Sequence, residues 1–452
     1  MTETNVKLSV KEKIGYGVGD MAANFVFQSL LAFQLIFYTE TFGIKAAAAG
    51  TLILVVGIGS AFFDPIMGIL ADRTKTRWGR FRPWIIATAV PFGIVAVLAF
   101  VTPNLSPSGK LLYAYITFTL LMAVYSANNV PYSALTGVIT GDMKERTSLS
   151  SYRQVFANSS AFIVQGLALP MVLYFGRGDR AKGYQLTMGL FAVLAVIFFC
   201  ITFFTTKERI KPDPNQKTSL GQDLKDLGSN TPWVVLFVVT VLIFIGLSMR
   251  SATMLYYFKY CAGNEKLFSP FNIVGLGSLI VGVMCSTAMV KRYGSKPLFI
   301  GGLAVSAAFA GALIFVPATS IPLVFGLEVG RQFAWGLTAP ILWAMMADVA
   351  DFSEWKTGRR ATAMVFAATV FGLKAGLSIG RAVAAWILSV FGYVPNAVQT
   401  AHSILGIKLL ASVFTAAIFF LGVACLFLYK IDTATGARMA DELAERRKGY
   451  AT

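Results

Sequence analysis

Val55-Val56-Gly57-Ile58-Gly59-Ser60-Ala61-Phe62-Phe63-Asp64-Pro65-Ile66-Met67-Gly68 is an apolar run interrupted by one carboxylate with a proline directly behind it. Extended to residues 47–71, the run exceeds the roughly 20 residues a helix needs to cross a hydrocarbon core of about 30 Å. It predicts a membrane span. A carboxylate at that depth costs roughly 2.5 to 3.5 kcal/mol on insertion scales, so Asp64 is a candidate for moving an ion or a substrate. The bland alternative is a structural acid held by a neighbouring helix.

Runs of the same kind recur along the chain, at residues 14–40, 47–71, 81–102, 110–139, 150–175, 184–205, 233–260, 268–290, 297–316, 321–347, 361–391 and 402–429. Of 452 residues, 56% are hydrophobic and 13% charged. That charged share is about half the usual value for a soluble domain. An all-α membrane protein with twelve transmembrane helices is expected, with no soluble domain.

The net charge of +17 is a topology signal and gives no reason to expect a nucleic-acid partner. Arg and Lys collect in alternate loops: Arg73 to Arg82, Lys144 and Arg146, Lys207 to Lys225, Lys291 to Lys296, Lys356 to Arg360, and a tail with Arg446, Arg447 and Lys448. The positive-inside rule then places both termini and the middle loop in the cytoplasm, beside anionic membrane lipids. Lys7-Leu8-Ser9-Val10-Lys11-Glu12-Lys13 runs straight into a full-length span, so no cleavable leader is expected. Cys200, Cys261, Cys285 and Cys425 have no metal-ligand spacing and read as packing residues. His402 is the only histidine, which removes most acid–base and nucleophilic triads; neither an enzyme nor a cofactor is expected.

A polar stretch, 206–232, lies midway and contains Lys211-Pro212-Asp213-Pro214. It reads as a linker, with a short surface helix near Leu220 to Leu227. It divides the chain into 1–205, a first six-helix bundle, and 233–430, a second, followed by a tail at 431–452. Arg77-Trp78-Gly79-Arg80-Phe81-Arg82-Pro83 resembles Arg292-Tyr293-Gly294-Ser295-Lys296-Pro297, and Asp142 to Arg146 resembles Asp351 to Lys356. Two pseudo-symmetric halves are the sequence mark of secondary transporters. Basic loops converging on similar sequences for topology alone is the alternative.

Asp20, Asn24 and Gln28 recur every fourth residue and project from one helix face. Tyr125, Asn128, Asn129 and Tyr132 repeat that spacing in span four, and Gln154, Asn158 and Gln165 in span five beside Arg153. Amides and phenols suit a solute rich in hydroxyls, because amides donate and accept while rings stack on a sugar. Interhelical hydrogen bonding at about 0.6 kcal/mol per contact is the alternative for any one of them. Gly15, Gly17, Gly19, Gly57 and Gly59 are expected to allow close helix approach. Glu328 and Arg331 read as a local pair near a span end. Arg250, Lys374 and Arg381 are cations within spans, and Lys374 needs a carboxylate, for which Asp64 is the candidate.

Lys13-Ile14-Gly15-Tyr16-Gly17-Val18-Gly19-Asp20, Asp64-Pro65-Ile66-Met67-Gly68 with Thr76-Arg77-Trp78-Gly79-Arg80-Phe81-Arg82-Pro83-Trp84, and Asp348-Val349-Ala350-Asp351-Phe352-Ser353-Glu354-Trp355 resemble the glycoside-pentoside-hexuronide:cation symporters of the major facilitator superfamily. The resemblance spans essentially the whole chain and is melibiose-carrier-like, nearest in character to the xyloside and glucuronide branches. It implies the major facilitator fold, a monomer, and a bacterial cytoplasmic membrane. Two helix-two acids hold the coupling cation in the family; here one falls on Asp64 and the other on Ser60. The family's two sugar acids fall on Asn24 and Asn129. Its helix-five arginine matches Arg153, its helix-ten tryptophan Trp343, its helix-eleven lysine Lys374, and its helix-four aromatic and hydroxyl Tyr125 and Ser126; a second helix-four tryptophan is replaced by Ser133.

The resemblance therefore implies a cation-coupled glycoside carrier. Asp64, Ser60, Ser126 and Lys374 form the cation-coupling set, and Asp20, Asn24, Gln28, Tyr125, Asn128, Asn129, Arg153, Trp343 and Lys374 the substrate set. One carboxylate suits a proton, and the basic balance favours an anionic sugar such as a uronide or sulfonated sugar. Sodium at Asp64 with a neutral glycoside is the alternative, and a lysolipid or other amphiphile a more distant one.

Overall fold

The computed structural model describes residues 7–140, 142–209, 230–357 and 362–431, together with Thr435, Arg438, Met439 and Glu442. The expected surface helix near Leu220 to Leu227, most of the linker, Gly358 to Arg360 and the basic tail residues Arg446 to Lys448 lie outside the described residues.

Twelve long helices are present among the described residues. They are α1 (Val10–Thr41), α2 (Ala46–Arg73), α3 (Arg82–Leu98), α4 (Pro107–Ile139), α5 (Met143–Gly176), α6 (Arg180–Thr205), α7 (Thr231–Cys261), α8 (Phe268–Tyr293), α9 (Ser295–Ala312), α10 (Ile321–Thr357), α11 (Thr362–Val390) and α12 (Ala401–Phe427). Eleven are long and apolar enough to cross a membrane, and α3 is a shorter apolar helix. This is a multi-pass membrane protein. Only helices satisfy every backbone donor and acceptor within one segment, as a hydrocarbon core requires of an open chain.

Two helices run past their expected ends. Asp142 to Arg146 was expected in a loop, yet α5 starts at Met143; Asp351 to Lys356 lies inside α10. In α5 the first-turn Glu145 accepts from Leu8 N at 3.1 Å and pairs with Lys13 at 2.9 Å, while Arg146 donates to Thr140 O at 2.8 Å. Those contacts hold a polar turn that hydropathy alone ends too early.

The chain divides into two compact units, the first holding α1–α6 with Val394–Ala397 and the second holding α7–α12. In the first, α1 packs on α5 and α6, α2 on α4, and α3 on α4 and α6. The second repeats the scheme: α7 on α11 and α12, α8 on α10, and α9 on α10 and α12. Local details repeat too. The ends of α1 and α7 each widen into a five-residue π-turn, Phe37–Thr41 and Tyr257–Cys261. Gly79 and Gly294, the central glycines of the two matching loops, both take the left-handed region, at φ +110° and +83°.

Beyond Gly79, the N–H groups of Arg80, Phe81 and Arg82 donate to the Glu208 carboxylate at 2.8, 2.8 and 2.9 Å, which satisfies orphan donors at the start of α3. Gly15, Gly17 and Gly19 meet Thr205, Phe156 and Thr202 as close-approach positions, whereas Gly59 faces open space and brings no helix near. One tight crossing in the second unit is α8 on α10, where a Cβ on Gly336 would run into the Leu279 carbonyl and a Cβ on Gly282 into that of Phe333. Overpacking a close crossing costs roughly 1 to 3 kcal/mol. Gly336→Leu is therefore expected to lower the thermal unfolding midpoint of the purified protein clearly, read by intrinsic fluorescence, whereas Gly59→Ala leaves it in place.

Candidate functional site

The polar stripe of α1 meets α5. Asp20 is buried and pairs with Arg153 Nε at 3.3 Å, and two turns further along α1 the Gln165 amide donates to Gln28 Oε1 at 3.4 Å. Between them Asn24 donates to the Asp20 carbonyl at 2.9 Å. The guanidinium of Arg153 also lies over the Tyr132 ring, 5.4 Å from its centroid. Tyr132 is fixed in turn: it stacks on Tyr16 at 4.7 Å and donates to the Tyr16 carbonyl at 2.7 Å. Tyr16 Oη and Thr136 Oγ1 are 2.5 Å apart, closing a buried hydroxyl pair.

Gln154 and Asn158 lie one turn apart on α5, joined at 3.3 Å, and both are exposed. They sit about 17 and 23 Å from the start of the helix at 1.5 Å per residue. Amides at mid-membrane depth face water or protein and are excluded from lipid. The first unit thus presents a wet polar wall built from α1 and α5.

On α2, Ser60, Asp64, Met67 and Ala71 share one face, and Ser60, Met67 and Ala71 are buried, with Asp64 half-buried between them. That helix packs on α4. Ser60 donates to the Gly57 carbonyl at 2.8 Å, which leaves its lone pairs available. Tyr125 on α4 stacks against Phe27 of α1 at 5.7 Å. Ser126 follows it, fully buried. Within the first unit, α4 therefore stands between the α2 carboxylate and the α1–α5 wall.

Not every expected residue joins this group. Asn128 is 1% exposed and donates to Thr88 Oγ1 at 2.8 Å and to the Ile85 carbonyl at 3.4 Å. Its amide ties α4 to α3 and is spent on those contacts. Asn129 is half-buried at the next position. In the second unit, Trp343 is 41% exposed on α10, Lys374 is half-buried in α11, and Arg381, two turns on, is buried and donates to the Leu377 carbonyl at 3.2 Å.

Glu328 and Arg331 do pair locally, at 2.5 Å, but a third residue joins them from another helix. Arg250 of α7 donates to Glu328 Oε2 at 2.8 Å and to the Ala411 carbonyl in the Leu410–Phe414 π-turn of α12. All three side chains are at most 5% exposed. Sequence spacing shows the i, i+3 pair and cannot show the arginine 78 residues away. Tyr16 and Thr136 were missed for the same reason, although Tyr16 stands four residues before Asp20.

The sequence profile described as MFS/sugar transport protein matches residues 15–433. The chain belongs to this family. It is similar to the inner membrane symporter YicJ of Escherichia coli K12, 39% identical over 90% of this chain and 88% of the relative. The isoprimeverose transporter of Lactiplantibacillus pentosus is 35% identical over 95% and 90%, and the glucuronide carrier protein homolog of E. coli K12 is 30% identical over 98% and 97%. Among solved structures, the nucleoside transporter NupG superposes with a TM-score of 0.64 at 18% identity, covering 93% of this chain and all of that one. A structure from the proton dependent oligopeptide transporters gives 0.68 at 12%, covering 96% and 100%. These two likenesses establish the major facilitator fold. The chain is a sugar-transport protein of that superfamily, a carrier and not an enzyme.

Removing one partner from a buried charge group leaves the others uncompensated, at a cost of about 3 to 5 kcal/mol. Glu328→Gln is expected to destabilise the carrier by that order, seen as a collapse of the monodisperse chromatographic peak in mild detergent. Lys266→Gln, at an exposed side chain between α7 and α8, leaves the peak unchanged.

Proposed function

We propose that the carrier symports a glycoside with a proton, Asp64 taking the proton and the α1–α5 wall orienting the sugar. The observation that carries the proton is the charge count of the first unit. The Asp20 carboxylate is matched by Arg153 at 3.3 Å, and inside its span α2 presents one acid, Asp64, where the family resemblance has two; Asp72 lies exposed in the last turn of the helix. A proton needs one carboxylate oxygen; hard metal cations gather several oxygens. Ser60 and Ser126 are the neutral oxygens that a sodium ion would add, and they define the alternative.

Asn24, Gln28, Tyr125, Asn129 and Arg153 are proposed to hold the sugar on the first unit, and Trp343 and Lys374 are the second unit's candidates by the family resemblance. Asn24 and Gln28 are half-buried beside exposed Gln154 and Asn158, an arrangement suited to a hydroxyl-rich solute. Lys374, a cation inside a span, is the second unit's candidate counter-charge. Coupling then requires that empty and doubly loaded carriers reorient while half-loaded ones do not. We place the carrier in a bacterial inner membrane with both termini cytoplasmic, following the distribution of Arg and Lys.

The Asp20–Arg153 pair bears on the substrate. Because it balances Arg153, any preference for an acidic sugar rests on Lys374 and Arg381, and a neutral glycoside becomes the competing reading. Competition for uptake between a glucuronide and the matching glucoside separates them. A glucuronide that competes better, with the advantage lost in Lys374→Gln, supports the acidic substrate; equal competition supports the neutral one.

Asp64→Asn keeps the shape of the acid and removes its titration. The variant is expected to retain exchange of labelled glycoside across sealed vesicles and to lose uphill uptake. Full accumulation by Asp64→Asn would remove the residue from the coupling step.

A further inference from the structure

A groove of about 920 Å³ runs along the second unit between α8, α9 and α10. Its walls are apolar, with Val281, Val305, Val329 and Phe333 among them, and the Ser278 hydroxyl that borders it is spent on the Val329 carbonyl at 2.7 Å. Gly301 forms part of the floor, and a Cβ placed there meets nothing within 4 Å. One end is closed by Phe309, whose ring lies against Gly330. The other end opens at Tyr293 and Pro297, beside Lys291 and Arg292, both exposed in the last turn of α8.

Along α8 the groove runs from Val274 to Tyr293, about 28 Å at 1.5 Å per residue, and along α9 from Pro297 to Phe309, about 18 Å. Its α9 wall covers about the depth of one leaflet in a hydrocarbon core about 30 Å thick. We propose that this groove holds one acyl chain of an anionic phospholipid whose headgroup rests on Lys291 and Arg292. An uncharged chain would gain nothing from the cations at the mouth, whereas clustered Lys and Arg at a membrane surface select anionic headgroups. Arg292 lies over the Tyr293 ring at 5.3 Å, which keeps its charge at the mouth of the groove.

The test uses the purified full-length carrier in detergent, following its thermal unfolding midpoint while phosphatidylglycerol or phosphatidylcholine is titrated in. Binding to the folded state alone raises the midpoint as the lipid saturates its site. Phosphatidylglycerol should act at a concentration about tenfold lower than phosphatidylcholine, given two cations at the mouth. Lys291→Gln with Arg292→Gln should bring the two curves together. Gly301→Leu and, on the facing helix, Val281→Phe should each fill the groove and remove the shift while unfolding stays cooperative. Equal action of the two lipids on the unsubstituted carrier, or a shift that survives both groove-filling variants, overturns the proposal. So does a dimer that Gly301→Leu abolishes, which would make the groove a face between copies of the chain.

Discussion

A charge placed within a bilayer must find its compensation inside the protein, and the pairing of Asp20 with Arg153 meets that constraint where α1 crosses α5. Much of the first unit's polar interior follows from it. Arg153 needs a flat partner on its other side and finds the Tyr132 ring; Tyr132 needs an acceptor and finds the Tyr16 carbonyl; Tyr16 needs a hydroxyl and finds Thr136. Three helices are thereby fixed by one ion pair. A guanidinium held by a carboxylate and a ring keeps a defined position, which a lysine at the same place would not share.

The second unit repeats the helix pairing with a different charge arrangement. Arg250 and Arg331 share the single carboxylate of Glu328, so these three residues carry one net positive charge where Asp20 and Arg153 carry none. The Ala411 carbonyl in the π-turn of α12 accepts from Arg250. The π-turn is a local widening of the kind often found where a helix has a task beyond spanning. The charge therefore differs between the units although the helix pairing repeats.

The fold was largely legible in the sequence because hydropathy reports the solvent directly. Twelve apolar runs become twelve helices, and the matching loops around Gly79 and Gly294 share a positive φ that only their glycines adopt readily. Helix ends were less legible: polar turns such as that of Glu145 are stabilised by Lys13 and Leu8 from far along the chain. Spacing placed Asp20, Asn24 and Gln28 on one face, and that face does carry the α1–α5 contacts. It could not say that Asn128, identical in kind to Asn129, turns to Thr88, because neighbouring residues on a helix point about 100° apart and only packing decides which one meets water. Nor could local spacing reveal that Arg153 is already neutralised, since Asp20 is a distant residue in sequence.

Asp64 is the acid around which the coupling account is built, lying on the face of α2 that carries Ser60 and Met67. The account is tested most directly by adding glycoside to carrier-containing vesicles in lightly buffered, sodium-free medium and recording external pH. A proton symporter makes the medium alkaline when sugar is added, and a protonophore abolishes the change. No pH change without sodium, together with uptake restored by sodium alone, would contradict coupling through a single protonated carboxylate.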